Sequence, residues 1–282
     1  FYYPKYGPGQ LWETAAAEFE SMGGIIRKNS KVVKINREGN TITSIDIERD
    51  GRTETLKGDI LISSMPLKDL VGGMEQVPER IAAIADGLPY RDFVTVGVLT
   101  GRLNLKNETN MKTLNNIVPD CWIYVQDTGV RLGRIQIFNN WSPYLVENPQ
   151  EQIWIGLEYF CNEGDKFWNM SDEACIRFAA KELVKMGVIS SADEILDAHR
   201  EKVKKAYPAY FDTYSEIERL TEYLDTIDNL YCVGRNGQHR YNNMDHSMVT
   251  SFEAVKNILE NRKDRSNIWN VNTEEEYHEE KK

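Results

Sequence analysis

No apolar run in this chain of 282 residues approaches the roughly 18 that a membrane helix needs. An excess of positive charge is missing too. Lys and Arg number 34 against 44 Asp and Glu, for a net charge of −10, which excludes general affinity for nucleic acid or an anionic membrane, since either wants a basic face. Cysteine is scarce. Cys121, Cys161, Cys175 and Cys232 are scattered, with no CxxC pair and no metal-ligand spacing, the pattern of reduced thiols in a cytoplasmic protein without a metal site. The opening residues contain no signal-peptide pattern, and a cytoplasmic location is expected.

Familiar catalytic punctuation is also absent: no GxSxG, no GxxxxGK[ST] and no HExxH. "YGPGQLWE" has the outline of a dinucleotide fingerprint, but Trp12 stands where the third glycine is needed and no strand precedes Gly7. Gly7-Pro8-Gly9 is read as a turn leading into a helix. His239 and His246 flank Asp245 without the regular scaffold a metal site uses, His199 sits in a charged segment read as helical, and His278 lies in the polar tail.

What is present is a core: 41% hydrophobic and 10% aromatic residues, enough for one large domain or two intertwined ones. "GQLWETAAAEFESMGG" reads as a helix with Leu11, Ala15, Phe19 and Met22 on one stripe, stopped by Gly23-Gly24. "KVVKI" and "TITSIDIE", with the turn composition of "RDGRTE", form a small meander, and "GDILISSMP" is a short apolar strand of the kind found inside a covered sheet. From Tyr90 the texture changes to "RDFVTVGVLTG", "CWIYVQD", "GRIQIFNNW" and "QIWIGLEYFC", rich in Val, Ile, Trp and Tyr, which predict a mostly antiparallel sheet. Glu158 stands out as an acid on one of these apolar strands. A helix follows whose start is expected to be capped by Ser171 and Glu173 or nearby acids and whose end is set by Gly187, then a helix-to-strand passage through "ADEILDAHREKVKKAYPAYF". The last helix, "MVTSFEAVKNILENRK", carries Val249, Phe252, Val255 and Leu259 at helical spacing, and beyond Arg265 a polar, frayed tail is expected.

One stretch resists a bland reading. "LYCVGRNGQHRYNNMDHS" is a buried strand ending in Gly234, followed by a crowd of donors. Arg235, Asn236 and Gly237 fall at the C-terminal edge of a sheet, where α/β proteins bind ligands. Asp245-His246-Ser247 precede a helix whose free N–H groups and positive dipole end point to the same place. Arg suits bidentate phosphate recognition. The pattern predicts a site for a phosphate-bearing, polyhydroxylated ligand.

"VGRNGQHRYNNMDHSMVTSFEAVKNIL" closely resembles the C-terminal flavin-binding segment of UDP-galactopyranose mutases, roughly GRxGxxRY followed by an acidic, Ser-containing helix start. More broadly it resembles the flavin-containing amine oxidase and protoporphyrinogen oxidase superfamily. "YPKYGPGQLWETAAAEFESMGGIIRKNSKVVKI" is similar to that superfamily's front helix and following strand, "DILISSMP" to its strand ending in a proline near the flavin, and "AYPAYF" to the Tyr-Pro element of the mutases. The resemblance implies FAD as cofactor. Val32 would meet the adenine end, Gly234 and Arg235 the pyrophosphate and flavin, and Met244, Asp245 and Ser247 the ribityl chain and pyrimidine edge. Tyr207 and Tyr241 would match tyrosines that hydrogen-bond a substrate diphosphate; no catalytic residue is assigned.

The superfamily's opening strand–GxGxxG–helix is not found here, and His239 stands where an aromatic is usual. The chain therefore reads as a fragment. The expected fold is α/β: a partial, discontinuous FAD-binding domain (1–88 plus 222–264), an inserted antiparallel sheet-plus-helix substrate domain (89–221) and a polar tail (265–282). The implied function is an FAD-dependent oxidoreductase acting on a small molecule. The alternatives are a non-redox mutase acting on a nucleotide sugar in cell-surface polysaccharide synthesis, and a non-catalytic domain that kept the fold. Surface left bare by the missing unit predicts self-association.

Overall fold

The computed structural model describes residues 2–272; the expected tail residues 273–282, His278 among them, lie outside that range. In chain order the elements begin with α1 (Gly9–Ser21), β1 (Lys31–Glu38), β2 (Thr41–Arg49), β3 (Arg52–Lys57), β4 (Leu61–Ser63), α2 (Leu67–Gly72) and α3 (Glu79–Asp86). Then come β5 (Tyr90–Thr100), β6 (Trp122–Tyr124), β7 (Arg134–Ile137), α4 (Phe138–Trp141), β8 (Ile153–Cys161) and α5 (Asp172–Lys185). The chain continues with β9 (Ile195–Pro208), α6 (Ile217–Asp225), β10 (Leu230–Cys232), α7 (Gly234–Gly237), α8 (Met244–Leu259) and α9 (Ser266–Trp269). The mixture is the expected α/β class. Within the described range it divides into two compact units, residues 2–26 with 92–204, and 27–91 with 205–272.

The first unit is built on a five-stranded sheet in the order β6-β7-β8-β5-β9, with residues 90–91 and 205–208 of its strands counted in the other unit. β5, β6, β7 and β8 are the four strands expected from the Val, Ile, Trp and Tyr pattern. β7–β8 and β8–β5 are antiparallel, with Thr95 opposite Glu158 and Gly97 opposite Gly156. Val94, Val96, Val98, Ile155 and Leu157 point to one side and are fully buried against Cys175, Ala179 and Leu183 of α5. α5 starts and stops as its residues dictate: the Ser171 hydroxyl accepts from Ala174 N–H at 3.2 Å, and Gly187 takes φ +71, the left-handed stop that lets Val188 N–H reach Leu183 O.

β9 corrects an expectation. The charged segment around His199 was read as helical, and it is a strand at the sheet's edge. Lys, Arg and Glu suit an edge strand as well as a solvated helix, because they discourage pairing with another chain. His199 is exposed and bonded to Glu201 at 2.6 Å.

The second unit holds the meander β1-β2-β3 and a parallel pair, β10 beside β4, with Tyr231 opposite Ile62. Asp50 and Gly51 both take positive φ, as a tight turn between β2 and β3 requires. The core joins Ile35 and Ile42 of the meander to Leu67, Leu70, Leu220, Leu224 and the buried strand β10.

The unit boundaries differ from the expected ones. Residues 2–26 group with 92–204: the Ser142 hydroxyl donates to Lys5 O at 2.6 Å, and Gly7 turns against Leu145. Residues 265–272 are not a frayed tail. Arg265 donates to the carbonyls of Asp225, the last residue of α6, and of Ile227 and Asp228 beyond it, and Ile268 is buried on Tyr231 and Val233. A guanidinium satisfying several orphan carbonyls at once is a buried structural element, whatever the polarity of its neighbours in sequence.

Candidate functional site

The glycines of "VGRNG" have different duties. Val233 N–H donates to Ser63 O, closing the parallel pair. Gly234 then takes φ +75, and its N–H donates to Thr250 Oγ1 of α8 at 2.8 Å. A Cβ there would lie 4.0 Å from those of Ser64 and Ser247, so Gly234, the end of β4 and the start of α8 meet at one point. Gly237 is glycine for packing: a Cβ would sit 2.6 Å from Ser63 O.

Arg235 is held from several sides. Its Nε donates to Asn242 O at 2.9 Å and Nη1 to Ala206 O at 3.2 Å. Its guanidinium lies 5.3 Å from the Tyr207 ring and 4.8 Å from the Tyr241 ring, and the two rings stack with centroids 6.0 Å apart. Each such contact is worth about 1 kcal/mol. Nη2 has no partner among the described residues and leaves a charged donor available.

α8 begins beside this cluster. Asn243 is its N-cap, with Asn243 N–H donating to His246 Nδ1 at 3.3 Å. That occupies His246 in capping, and no group of three or more metal-ligating side chains occurs among the described residues. Met244 and Asp245 are exposed, Ser247 is half-buried, and Asp245 has no partner among the described residues. Nearby, Asn236 Oδ1 and Asn242 Oδ1 are buried acceptors with no hydrogen-bond partner, an arrangement that costs about 1–3 kcal/mol each unless a donor arrives.

The structure thus brings Tyr207, Gly234, Arg235, Tyr241, Met244, Asp245 and Ser247 together around the end of β10. Val32 is elsewhere in the unit: it pairs with Ile47 in the meander and packs on the core that also holds Cys232. Two members of the motif serve the fold. Arg240 donates to Trp269 O and Asn272 O. His239 is fully buried, with Nε2 3.1 Å from Ala209 O and the Tyr90 ring edge-on at 4.7 Å. Burial outweighs that hydrogen bond and pushes its pKa down to about 4, so it is neutral near pH 7 and offers no charge to a phosphate.

Glu158, which stood out in the sequence, and several aromatic and thiol side chains of the sheet unit and core are also committed to structure. Glu158 accepts from Arg134 Nε at 2.9 Å and from Gln136 at 2.5 Å, and Arg134 lies between the Trp122 and Phe160 rings. Both members of this pair are almost fully buried, so each charge is answered by the other inside the sheet. Tyr159 is core, against Phe167 and Phe178. Trp154 lies over Gly97, and Trp141 packs on Tyr3. Burial raises the Cys161 thiol to about 11 and the Cys232 thiol to about 12, so neither is a ready nucleophile. Two concave surfaces, one of about 530 Å³ beside Arg131, Lys181 and Lys185 and one of about 360 Å³ beside Phe252 and Leu259, do not include Arg235.

Comparison with known proteins locates this architecture. No family model matches the sequence, and no curated protein matches it. Solved structures do. The chain superposes on a reduced UDP-galactopyranose mutase with a TM-score of 0.76 at 20% identity, over 95% of this chain and 55% of that one. A putative protoporphyrinogen oxidase from Exiguobacterium sp. 255-15 matches at 0.59 and 15% identity, over 82% and 46%. A CLA-producing fatty acid isomerase from P. acnes matches at 0.52 and 15%, over 89% and 51%. The fold is the one these proteins share, as the sequence resemblance implied. The chain spans about half the length of each.

Proposed function

We propose that this chain is part of an FAD-dependent oxidoreductase, with the segment from Gly234 to Ser247 as its flavin-binding segment. The observation that carries the reading is the convergence at the C-terminal edge of β4 and β10. There a left-handed glycine, an arginine with one uncommitted donor and the exposed start of a 16-residue helix meet, a combination suited to an anionic, hydrogen-bonding ligand.

The residues fit one end of such a ligand. Gly234 allows close approach but keeps its N–H for Thr250; Arg235 would offer Nη2. Met244, Asp245 and Ser247 would face the ribityl chain and pyrimidine edge. Val32 would meet the adenine end, through groups outside the Arg235 cluster. When bound, a flavin would supply the hydride acceptor. The protein's own part is to hold substrate at Tyr207 and Tyr241, exclude water and fix the guanidinium.

A second reading, a non-redox mutase acting on a nucleotide sugar, is favoured by the stacked Tyr207–Tyr241 pair beside Arg235, since two phenols and a guanidinium can hold a diphosphate. Arg240 adds little to it, because its Nη1 already donates to Trp269 O and Asn272 O within the fold. A non-catalytic domain would tie up both Arg235 and Asp245. Arg235 is largely held and Asp245 is not, which favours a site. No helix among the described residues is long and apolar enough to cross a membrane; a cytoplasmic location and a self-associating surface remain part of this proposal.

The test is the visible spectrum of the full-length natural polypeptide, before and after adding UDP-galactose. Bound flavin indifferent to the sugar nucleotide supports the oxidoreductase, a shift on addition supports the mutase, and absence of flavin refutes both.

A further inference from the structure

The segment from Arg265 to Asn272 reaches Arg235 through a short line of buried hydrogen bonds. Gln238 Nε2 donates to Ile268 O at 2.8 Å, Asn242 Nδ2 donates to Gln238 Oε1 at 3.0 Å, and Arg235 Nε donates to Asn242 O at 2.9 Å. Gln238 and Asn242 are 3% and 1% exposed, so water cannot substitute for either partner. A parallel line fixes the neighbouring ring: Asn272 Nδ2 donates to Tyr241 O at 2.8 Å, and Arg240 bonds Trp269 O and Asn272 O. The segment is itself anchored. Arg265 lies 4.8 Å from the Tyr231 ring, the Trp269 indole N–H reaches the Asp225 carboxylate at 3.1 Å, and Asn257, fully buried on α8, pairs with Asn267 at 2.8 Å.

Arg235 stands on α7, a four-residue turn that opens with Gly234 at φ +75, and Tyr241 on the loop after it, which contains His239 at φ +48. So short a turn and loop have no ladder of their own to fix a side chain within the few tenths of an ångström that ligand recognition needs. We propose that the 265–272 segment is a strap that sets the orientation of the Arg235 guanidinium, and that Gln238 is the positioning residue transmitting it. This rests on the reading that Arg235 faces a ligand, but its geometry can be measured without one.

The experiment follows the Arg235 Nε–H signal by nitrogen-edited NMR in the full chain, assigned through Arg235→Lys, with Arg134 Nε–H of the other unit as an internal control of folding. In Gln238→Ala the Arg235 signal should exchange with solvent about tenfold faster, the factor expected on losing one hydrogen bond of about 1.4 kcal/mol, while the Arg134 signal stays put. Asn272→Ala, a milder change near the chain end, should weaken the near-ultraviolet circular dichroism of the Tyr207–Tyr241 stack and loosen Arg235 less. FAD affinity, read by flavin fluorescence quenching, should fall in the same order. Unchanged Arg235 exchange in a folded Gln238→Ala overturns the strap, whatever flavin does. If that variant fails to fold, an unchanged Arg235 signal and tyrosine dichroism in Asn272→Ala overturn it equally. Faster exchange in variants of a protein whose wild type binds no flavin upholds the strap and refutes the flavin reading.

Discussion

His239 shows how a motif residue can be decisive for the fold without touching a ligand. It makes an edge-on contact with the Tyr90 ring and uses Nε2 on Ala209 O. It leaves Nδ1 buried without a partner. Protonating that ring inside the protein is costly, which is why its pKa falls from 6.5 to about 4. The unfolded chain therefore binds this proton before the folded one does. The stability tied to the neutral ring is fully present above pH 6.5 and is lost as pH falls through about 4. In His239→Phe, urea midpoints measured between pH 7 and pH 4 should decline less steeply than in the wild type, even if the lost bond to Ala209 lowers stability at every pH. Identical slopes would place the titrating group elsewhere. Sequence could mark His239 as unusual, but only its burial decides between a charged ligand contact and a neutral core ring.

At the scale of elements, the last helix is the instructive case. Spacing alone picks out Val249, Phe252, Val255 and Leu259, and all of them are exposed; the buried face is Thr250, Ala254 and Asn257. The same inversion occurs in α1, where Leu11, Phe19 and Met22 are exposed and no residue is buried. Periodicity reports that a helix has an apolar side, not which side its own fold covers. The strands β5 to β8 were legible because runs rich in Val, Ile, Trp and Tyr suit a buried sheet, and the caps of α5 because Ser171 and Gly187 act locally. β9 was not, since an edge strand rich in charge looks like a solvated helix. Residue type marked the candidates, and the structure gathers them around the end of β10 apart from Val32, which lies in the meander. What sequence could not supply was the division of labour inside the motif, where Arg240 and Gly237 pack and Arg235 and Asp245 remain partly available. Thr250 belongs to the packing side: its hydroxyl accepts from Gly234 N–H and donates to Ser247 O. Thr250→Val keeps the shape and orphans that N–H, and should cost about 1–3 kcal/mol in chemical denaturation. A loss well under 1 kcal/mol would mean that the Gly234 turn finds another partner.

At the scale of the whole molecule, a chain with a net charge of −10 would ordinarily stay apart from its copies, yet α8 turns Phe252 at 66% exposure and Leu259 at 81% outward. In the same unit, Ile60 and Ile62 stand exposed along β4, whose pairing with β10 is only three residues long. A parallel pair is normally covered on both faces, and a helix with Thr, Ala and Asn inward and Val, Phe and Leu outward has its stronger hydrophobic face on the wrong side for a free surface. Burying Phe252 and Leu259 alone would contribute roughly 2 kcal/mol each, enough for association at micromolar concentrations when neighbouring residues join in. Sedimentation velocity should therefore show concentration-dependent self-association of this chain, and Phe252→Ser with Leu259→Ser should abolish it without lowering the midpoint of chemical unfolding. The second half of that expectation carries the weight. If the serine variant loses stability as a monomer, these side chains belong to the unit's own core in solution and the outward face needs no partner. If the variant is as stable and no longer associates, the apolar face of α8 is held in place by Thr250, Ala254 and Asn257 behind it, and it is the surface on which another polypeptide completes the fold.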